Sequence, residues 1–463
     1  MHQVLAQLRE HLERAGYNEE RVDRLVRDDR GLGFEDGLAG LRLRPEIDEP
    51  LVVLVRLFLA RESLPVATVA AMLGKIDLGA LARTGLIAVR DGGVLARFAL
   101  EPFAGLVVAS DRSASRLRAD HVVRIGPATR TLAALTVRRR VETTLDLGTG
   151  SGAQAFLAAR HSEHVIGLDL NPRALRLARL NASLNDVETV DWRQGNLFEP
   201  VRDERFELIV ANPPFVISPA HELTYRDGGL GGDLLSREVV IGAARHLQEG
   251  GFASILCGWV ETPERWLEGS GCDAWVLELS TDSPVTYAMR WNSLPGRRPA
   301  AVAAAAETWL ADYRVRGIQS ISTGAIVLRK RSGKNWVRFD ELAVAPRGEA
   351  GAHVERVFAA QDYLQSLRNE SELLTATLAL APGTLLVERR QPGGELERAR
   401  LTVDEGIPLL GRVPISLAPV LAALDGRPLT EILDAVILDP VARAEALPVL
   451  RELVARGLIV PGR

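Results

Sequence analysis

The sequence predicts an α/β core built on a parallel β-sheet, with a smaller module before it and another after it. From about residue 141 onward, strand-like apolar runs alternate with amphipathic helical runs, which is typical of a parallel sheet covered on both faces. Before this region, apolar residues recur at helical spacing. After it, a hairpin-like stretch at 383–394 precedes two further helical runs. A chain of 463 residues is long enough for several domains.

The first module, residues 1–117, is predicted to be helical and to end in winged-helix order. Helical spacing runs over 3–16, 19–28 and 49–73. A short helix, a strand that ends at the turn Asp91-Gly92-Gly93 and a second strand follow. Such modules either contact DNA or serve as packing and dimerisation units. Because Arg and Lys are not concentrated on the second helix of the winged-helix pattern, we expect packing.

The sheet domain is predicted over residues 118–332, with its closing strand at 320–331, and an α+β winged-helix-like domain over 333–463. Composition fits an ordinary globular protein, with 47% hydrophobic and 25% charged residues. A net charge of −4 gives no general attraction to nucleic acid or to an anionic membrane. The two cysteines exclude a disulfide framework, and no ligand spacing suggests a metal. With no signal peptide and an apolar run interrupted by Arg56, we expect a cytoplasmic protein without a membrane anchor.

A glycine-rich turn follows the first strand of the predicted sheet. Asp146 ends the apolar run, and three glycines stand on alternate positions before a helix: Gly148, Gly150 and Gly152. Glycines at a strand-to-helix turn let the backbone approach a ligand closely, and the helix N-terminus presents unpaired N–H groups. The spacing differs from the G-x-G-x-x-G of dinucleotide sites and suits a ligand without a pyrophosphate.

The next two strands end in residues suited to a nucleoside. Asp169 ends the second strand, where its carboxylate can accept hydrogen bonds from both hydroxyls of a ribose. Asn196 and the backbone of Leu197 follow the third strand, at the level where an adenine would lie. The ordered set predicts a nucleoside-containing ligand at the carboxyl edge of the sheet.

The fourth strand stops at Asn212-Pro213-Pro214-Phe215. The prolines take the chain out of the ladder, so the Pro213 carbonyl has no strand partner and can face a ligand. Together with the side-chain oxygen of Asn212, it offers two acceptors for the two hydrogens of a planar –NH₂ group, which Phe215 can cover. Alignment and preorganised dipoles then supply the rate gain, and no His or Cys nucleophile is required.

These motifs together resemble the class I S-adenosylmethionine-dependent methyltransferases of the N-P-P-[YF] group, which methylate amide or exocyclic amine nitrogens. Members include the release-factor glutamine methyltransferases and the enzymes that methylate guanine or adenine in RNA and DNA. The resemblance covers about residues 120–331 and implies a Rossmann-like sheet, S-adenosylmethionine as cofactor and S-adenosylhomocysteine as product. The segment 224–235 also resembles the Gly/Asp-rich segment of the glutamine methyltransferases.

The resemblance assigns a role to each motif residue. Asp146 and the glycines at 148, 150 and 152 would line the methionine end of the cofactor, Asp169 the ribose, and Asn196 with Leu197 the adenine. Asn212 and Pro213 would hold the acceptor nitrogen, with Phe215 stacked on it.

Two departures from the family pattern bear on the substrate. The family usually has Asp where Asn196 stands, and the Pro-x-Glu-Thr stretch of release-factor enzymes is absent from 125–137, which weakens that assignment. Thr129 or Thr131 would replace a contact to the cofactor carboxylate, although a helix cap is the favoured interpretation.

The acidic net charge favours a protein or peptide amide as acceptor over a nucleobase. The alternatives are a small metabolite, with the flanking domains forming a homodimer and a lid, and a non-catalytic cofactor-sensing regulator that binds DNA.

Further polar residues remain as weaker candidates. Eight arginines between 105 and 140 are interpreted as a solvated linker or a set of interdomain ion pairs rather than as a substrate-steering surface: Arg112, Arg116, Arg118, Arg124, Arg130, Arg138, Arg139 and Arg140. His221 and Glu222 follow the acceptor motif, and Tyr225, Arg226 and Asp227 lie in a Gly-rich loop of a kind that closes over ligands. Trp259, at the end of the fifth strand, is expected to pack in the core.

Overall fold

The computed structural model describes residues 2–27, 34–42, 49–60, 62–111, 118–219, 232–293, 297–403, 405–409, 411–437 and 440–462. The chain divides into two compact units. The first contains Met1–Leu132, Arg140–Trp275 and Thr281–Val337, and the second contains Ala133–Arg139, Val276–Ser280 and Arg338–Arg463. Within the described residues, none of the helices combines the length and apolar character that crossing a membrane requires.

The first unit begins with helices around one apolar core: α1 (His2–Ala15), α2 (Glu19–Val26), α3 (Phe34–Arg42) and α4 (Pro50–Phe58). The Asn18 side chain caps α2 by accepting from the backbone N–H of Arg21. Every residue of α4 from Leu51 to Phe58 is buried, including Arg56, which donates two hydrogen bonds to the carboxylate of Glu62. The apolar run that the sequence shows here is therefore a core helix.

A small antiparallel sheet follows these helices. Its elements are β1 (Leu64–Pro65), α5 (Val66–Leu73), α6 (Leu78–Arg83), β2 (Ile87–Arg90) and β3 (Gly93–Ala96), with strand order β1-β3-β2. Asp91 and Gly92 both have positive φ, as a tight hairpin turn requires. The order strand, helix, helix, strand, strand is that of a winged helix, and assignment to that class stays a prediction. A second hairpin is formed by β4 (Ala99–Phe103) and β5 (Leu106–Ser110).

The central sheet has the strand order β8-β7-β6-β9-β10-β12-β11. Its elements run as α7 (Pro127–Leu135), β6 (Val141–Leu147), α8 (Ala153–Ala158), β7 (Ser162–Asp169), α9 (Pro172–Asn185), β8 (Val190–Gln194), a 3₁₀ turn (Glu199–Val201), β9 (Phe206–Ala211), α10 (Leu234–His246), β10 (Leu247–Trp259), α11 (Glu264–Leu267), β11 (Cys272–Asp282), α12 (Pro284–Asn292), α13 (Pro299–Val315) and β12 (Ile321–Lys330).

The predicted Rossmann-like core is confirmed by this sheet. Strands β6, β7, β8, β9 and β10 pair in parallel, and β12 pairs antiparallel with β10. The chain winds in one direction from β6 to β8 and in the other from β9 onward. The carboxyl ends of β6 and β9 therefore flank the crevice where open α/β sheets bind ligands.

Helix α9 packs one face on the sheet and another on the N-terminal helices. Ala174, Leu177 and Leu184 of α9 belong to the same apolar cluster as α1 and α4. Asn181 and Asn185 of α9 hydrogen-bond the backbone of β5. Most of residues 1–117 and 118–332, predicted as separate domains, thus lie in one compact unit. The boundaries at 117 and 332 stay predictions.

The second unit has its own apolar core, built mainly from helices near the C-terminus. Its elements are β13 (Val337–Glu341), α14 (Ala350–Ser366), α15 (Glu370–Thr375), β14 (Leu378–Leu380), β15 (Thr384–Arg390), β16 (Leu396–Val403), β17 (Gly411–Val413), a 3₁₀ turn (Ile415–Leu417), α16 (Ala418–Ala422), α17 (Leu429–Val436), α18 (Pro440–Ala455) and β18 (Ile459–Pro461). β15, β16 and β17 form one antiparallel sheet, and β14 pairs with β18.

Candidate functional site

A cavity of about 480 Å³ lies at the carboxyl ends of β6, β7 and β9. This volume is in the range of small-molecule sites. The structure brings nine of the ten predicted site residues to its walls: Asp146, Gly148, Gly150, Asp169, Asn196, Leu197, Asn212, Pro213 and Phe215. Residues that the sequence separates by almost 70 positions therefore line one space.

The glycine-rich turn after β6 requires glycine for its backbone conformation. Gly148 and Gly150 have φ of 74° and 56°, in the left-handed region that other residues rarely adopt. A Cβ at either position would meet no atom closer than 3.9 Å, so the turn leaves space on the cavity side.

Gly152 is not among the residues that line the cavity, and its predicted contact with the cofactor stays a prediction. It precedes α8 with φ 88°, and a Cβ there would lie 2.6 Å from the Phe156 ring and 3.0 Å from Trp192. Core packing and backbone conformation thus explain this glycine. The G-x-G-x-G spacing alone does not distinguish Gly152, which packs against Phe156, from Gly148 and Gly150, which line the cavity.

Asp146 is buried at the base of the turn. Its Oδ2 accepts hydrogen bonds from the Thr149 hydroxyl at 2.6 Å and from the Ala155 N–H at 2.9 Å. Burial raises the pKa of Asp146 from 3.8 to about 7, although these two hydrogen bonds lower it in part. The carboxyl is therefore poised to change charge near neutral pH, at the end of the cavity assigned to the cationic part of a ligand.

Asp169 is held in place by the backbone on both oxygens. Oδ2 accepts from the Gly150 N–H and Oδ1 from the Asn171 N–H, each at 2.8 Å. Burial raises the pKa of Asp169, and the N–H donors oppose that shift. Each carboxylate oxygen has a further lone pair, so both can still accept a hydroxyl from a ribose.

Asn196 and Leu197 follow β8 at another wall of the cavity. Asn196 is exposed, and Leu197 has φ 45°, an uncommon conformation for a branched residue. Strain of this kind persists where the surrounding structure imposes it, and it is common at ligand sites.

Asn212 follows the last residue of β9, and the chain then leaves the sheet. Within the described residues, neither the Asn212 side chain nor the Pro213 carbonyl has a hydrogen-bond partner. Asn212, Pro213 and Phe215 all line the cavity. The two residues predicted to supply the acceptors therefore line the same cavity, and their role toward a substrate stays a prediction.

Several residues that line the cavity were not predicted as site residues. His121 and Arg124 precede the sheet, Leu170 follows Asp169 and is 54% exposed, and Trp291 comes from α12. His121 and Trp291 belong to no fixed spacing, so nothing in the sequence singles them out, whereas Arg124 belongs to the arginine run that was interpreted as ion-paired. Leu170 had a signal, because the sequence places an apolar residue directly after the carboxylate predicted to bind the ribose, and the structure shows that it is exposed there.

Thr129 lines the cavity, and its carbonyl accepts from the Gln154 side chain at 2.8 Å. Thr131 is buried and does not line the cavity.

Three arginines of the run form ion pairs inside the first unit. Arg124 pairs with Glu101, Arg130 with Glu19, and Arg118 with Asp120. The first two join the segment before the sheet to the N-terminal module, as the ion-pair interpretation predicts. Arg112 and Arg116 lie outside the described residues, as do His221, Glu222, Tyr225, Arg226, Asp227 and most of the Gly/Asp-rich segment.

Trp259 is 3% exposed and does not line the cavity, so it packs in the core as expected.

Comparison with known families places a methyltransferase segment over this site. Residues 123–257 match the methyltransferase small domain, and residues 14–97 match a domain of unknown function (DUF7059). The first match spans both cavity motifs and confirms the predicted resemblance.

Curated relatives are similar over the same part of the chain. The release factor glutamine methyltransferase of Xylella fastidiosa (strain Temecula1) is 39% identical over 127 residues, which cover 25% of this chain and 46% of the relative. The ribosomal protein uL3 glutamine methyltransferase of Bradyrhizobium diazoefficiens is 36% identical over 169 residues, or 31% of this chain and 52% of the relative. The chain thus spans about half the length of these relatives.

A solved structure, the YcgJ protein from Bacillus subtilis, has 16% sequence identity and a TM-score of 0.30, over 44% of this chain and 98% of its own. A score this low adds nothing to the fold assignment, which rests on the strand order.

Proposed function

Because residues 123–257 form a class I methyltransferase domain of the N-P-P-[YF] group, we propose that this protein transfers a methyl group from S-adenosylmethionine to a planar amide nitrogen of a protein. One observation carries the proposal. Two hydrogen-bond acceptors without partners among the described residues, the Asn212 side chain and the Pro213 carbonyl, lie on the wall of the cavity that also contains Gly148, Gly150 and Asp169.

The residues of the cavity fit the cofactor. Gly148 and Gly150 leave room for close approach, Asp169 retains acceptor capacity for two ribose hydroxyls, and Leu170 and Leu197 offer apolar surface to a base. Asp146 would meet the cationic methionine end. When bound, S-adenosylmethionine supplies an electrophilic methyl carbon on a positively charged sulfur.

Asn212 and Pro213 determine which nucleophile is accepted. Two carbonyl oxygens at one wall accept the two N–H bonds of a flat –NH₂ group, and a group without two such hydrogens leaves one oxygen unpaired. Burying an unpaired carbonyl costs about 1–3 kcal/mol, so the pair selects against hydroxyl and tertiary amine acceptors.

Phe215 and its neighbours orient the acceptor and exclude water from it. An amide nitrogen is a weak nucleophile, so alignment with the methyl donor is the main contribution that the protein can make. The side chains at this wall beyond the acceptor pair are mainly apolar: Pro214, Phe215, Val216, Leu235 and Trp291. In such surroundings the dipoles of Asn212 and Pro213 act on the N–H bonds more strongly than they would in water.

A protein amide is the acceptor class that the observations favour. Both relatives described above are glutamine methyltransferases by name. The apolar acceptor wall suits a neutral amide, and the chain has a net charge of −4, which disfavours nucleic acid. We further propose that the protein is cytoplasmic. We also propose that it forms a homodimer, which light scattering would measure.

Calorimetry and methyl transfer test the proposal together. The wild type should bind S-adenosylhomocysteine and transfer a tritiated methyl group to protease-sensitive material in fractionated lysate, and to purified release factor or ribosomal protein uL3 from the same cell. Asn212→Ala should bind S-adenosylhomocysteine within about twofold of the wild type and lose transfer by about 100-fold or more. Full transfer by Asn212→Ala, or label in ribonuclease-sensitive material, would refute the assignment.

A further inference from the structure

Two buried tyrosines hold the chain directly after the acceptor motif. Residues 212–219 have no regular secondary structure. The Ile217 N–H donates to the Tyr287 hydroxyl oxygen at 3.1 Å, and the Ile217 carbonyl accepts from the Tyr313 hydroxyl at 2.6 Å. Tyr287 and Tyr313 are 0% and 1% exposed. Both backbone polar groups of one residue are thus fixed by side chains that are themselves immobilised by packing.

The tyrosines belong to α12 and α13, which the chain inserts between β11 and β12. The two helices pack on each other and form an apolar cluster with Val216, Ile217 and Trp309. Tyr side chains lose little conformational entropy when they are ordered, because they rotate about two bonds. The insertion therefore provides a rigid support for the segment that leaves the sheet.

A close approach from β10 limits the same segment on the other side. A Cβ on Gly258 would lie 2.5 Å from the Phe215 carbonyl oxygen, so the glycine allows direct contact between the two backbones. The Phe215 carbonyl packs closely against Gly258 of β10 and, two residues later, the tyrosines hydrogen-bond the chain. The Pro213 carbonyl lies just before this doubly restrained stretch, where φ of the two prolines is also fixed.

We propose that Tyr287 and Tyr313 are positioning residues for the acceptor nitrogen, which they control through Ile217 by setting the place of the Pro213 carbonyl and the Phe215 ring. This inference rests on the proposed function. Neither tyrosine lines the cavity, so each acts through its hydrogen bond to Ile217. A displacement of about 1 Å in a reacting group costs on the order of 100-fold in rate, so small motions of this segment matter.

Removing one hydroxyl at a time tests the inference without emptying the core. Tyr287→Phe and Tyr313→Phe keep the ring and lose the hydrogen bond. Tyr17→Phe is the matched control, because Tyr17 is 4% exposed, its hydroxyl donates to the Leu100 carbonyl at 2.6 Å, and neither residue lines the cavity. We expect kcat for methylation of purified release factor or uL3 to fall about 10- to 100-fold in the first two variants, with Kd for S-adenosylhomocysteine within about twofold of wild type. Tyr17→Phe should lower the melting temperature by a similar amount and leave kcat unchanged.

Hydrogen–deuterium exchange provides a readout that does not require an acceptor. Peptides covering 212–219 should exchange faster in Tyr287→Phe and Tyr313→Phe than in wild type or Tyr17→Phe. Unchanged exchange, unchanged kcat in the two variants, or an equal loss of kcat in Tyr17→Phe would each overturn the positioning role alone. A wild type that binds S-adenosylhomocysteine and methylates neither protein would refute the proposed function and the positioning role with it.

Discussion

Affinity for the cofactor should depend on pH through Asp146. Burial holds the pKa of this carboxyl at about 7, so the protein without ligand carries it increasingly protonated as the pH falls below 7. A ligand that presents an ammonium group to Asp146 stabilises the ionised form. Binding below pH 7 therefore requires release of a proton, and affinity should fall by up to tenfold for each pH unit.

The magnitude of this pH dependence follows from the shift in the pKa of Asp146. A rise in pKa from 3.8 to about 7 corresponds to about 4 kcal/mol, which is the largest free energy that a cationic ligand can recover at this carboxyl. With a pKa of about 7, the ionised fraction of Asp146 falls about 30-fold between pH 8 and pH 5.5. Calorimetry with S-adenosylhomocysteine in buffers of different ionisation enthalpy measures both Kd and the proton released.

Two variants separate Asp146 from its neighbours. In Asp146→Asn the amide oxygen can still accept from Thr149 and Ala155, so the fold should persist while binding at pH 8 weakens and loses its slope with pH. Asp169→Asn should weaken binding and keep a dependence on pH, moved to lower pH because the Asp169 carboxylate contributes to the raised pKa of Asp146. A wild-type Kd that stays constant from pH 5.5 to pH 8 would refute the reasoning.

Stability should show the opposite trend in the protein without ligand. The folded pKa of Asp146 lies above its unfolded value, so the stabilising effect of its protonation is complete below about pH 4 and is lost as the pH rises through 7. At pH 8, Asp146→Asn should be more stable than wild type by up to about 4 kcal/mol in urea unfolding. Equal stability of the two proteins at pH 8 would contradict the raised pKa.

Three further substitutions test the local structure. Leu197→Gly relieves a positive φ and should raise stability by up to about 1 kcal/mol while weakening S-adenosylhomocysteine binding; an unchanged Kd contradicts a contact with the base. Gly152→Ala should destabilise by about 2 kcal/mol or more, because its Cβ would meet Phe156 and its φ is left-handed; a neutral effect in thermal unfolding refutes the packing role. Asn181→Leu should cost about 3 kcal/mol or more, since three backbone groups lose a buried partner; an unchanged urea midpoint refutes that estimate.

Local backbone chemistry made the cavity walls predictable from the sequence. Gly148 and Gly150 are needed where φ is positive, and the prolines after Asn212 end a strand at the ligand edge, so the residue types themselves specify the geometry. Asp146 and Asp169 follow apolar runs whose parallel pairing brings their ends together. These constraints act within a few residues, and a single sequence displays them.

Long-range packing determined what the sequence did not reveal. Trp291 lines the cavity and Tyr287 bonds the Ile217 N–H, both from an inserted helix about 75 to 80 residues after Asn212, and no spacing links them to it. Gly152 has the same spacing as the cavity glycines, yet its neighbour is the ring of Phe156. The sequence alone does not distinguish a glycine that is required by a neighbouring side chain from a glycine that leaves space for a ligand.

Asn181 links the N-terminal module to the glycine-rich turn that lines the cavity. Its side-chain amide is fully buried, exchanges two hydrogen bonds with the backbone of Ala109 in β5 and donates a third to the Ser151 carbonyl in the glycine-rich turn. One side chain thus joins a hairpin of the first module to the wall of the cavity. Deletion of residues 1–117 would remove Ala109 and expose the apolar face of α9 that packs on α1. We therefore expect the segment 118–332 on its own to hold the turn less firmly and to bind S-adenosylhomocysteine more weakly than the full chain.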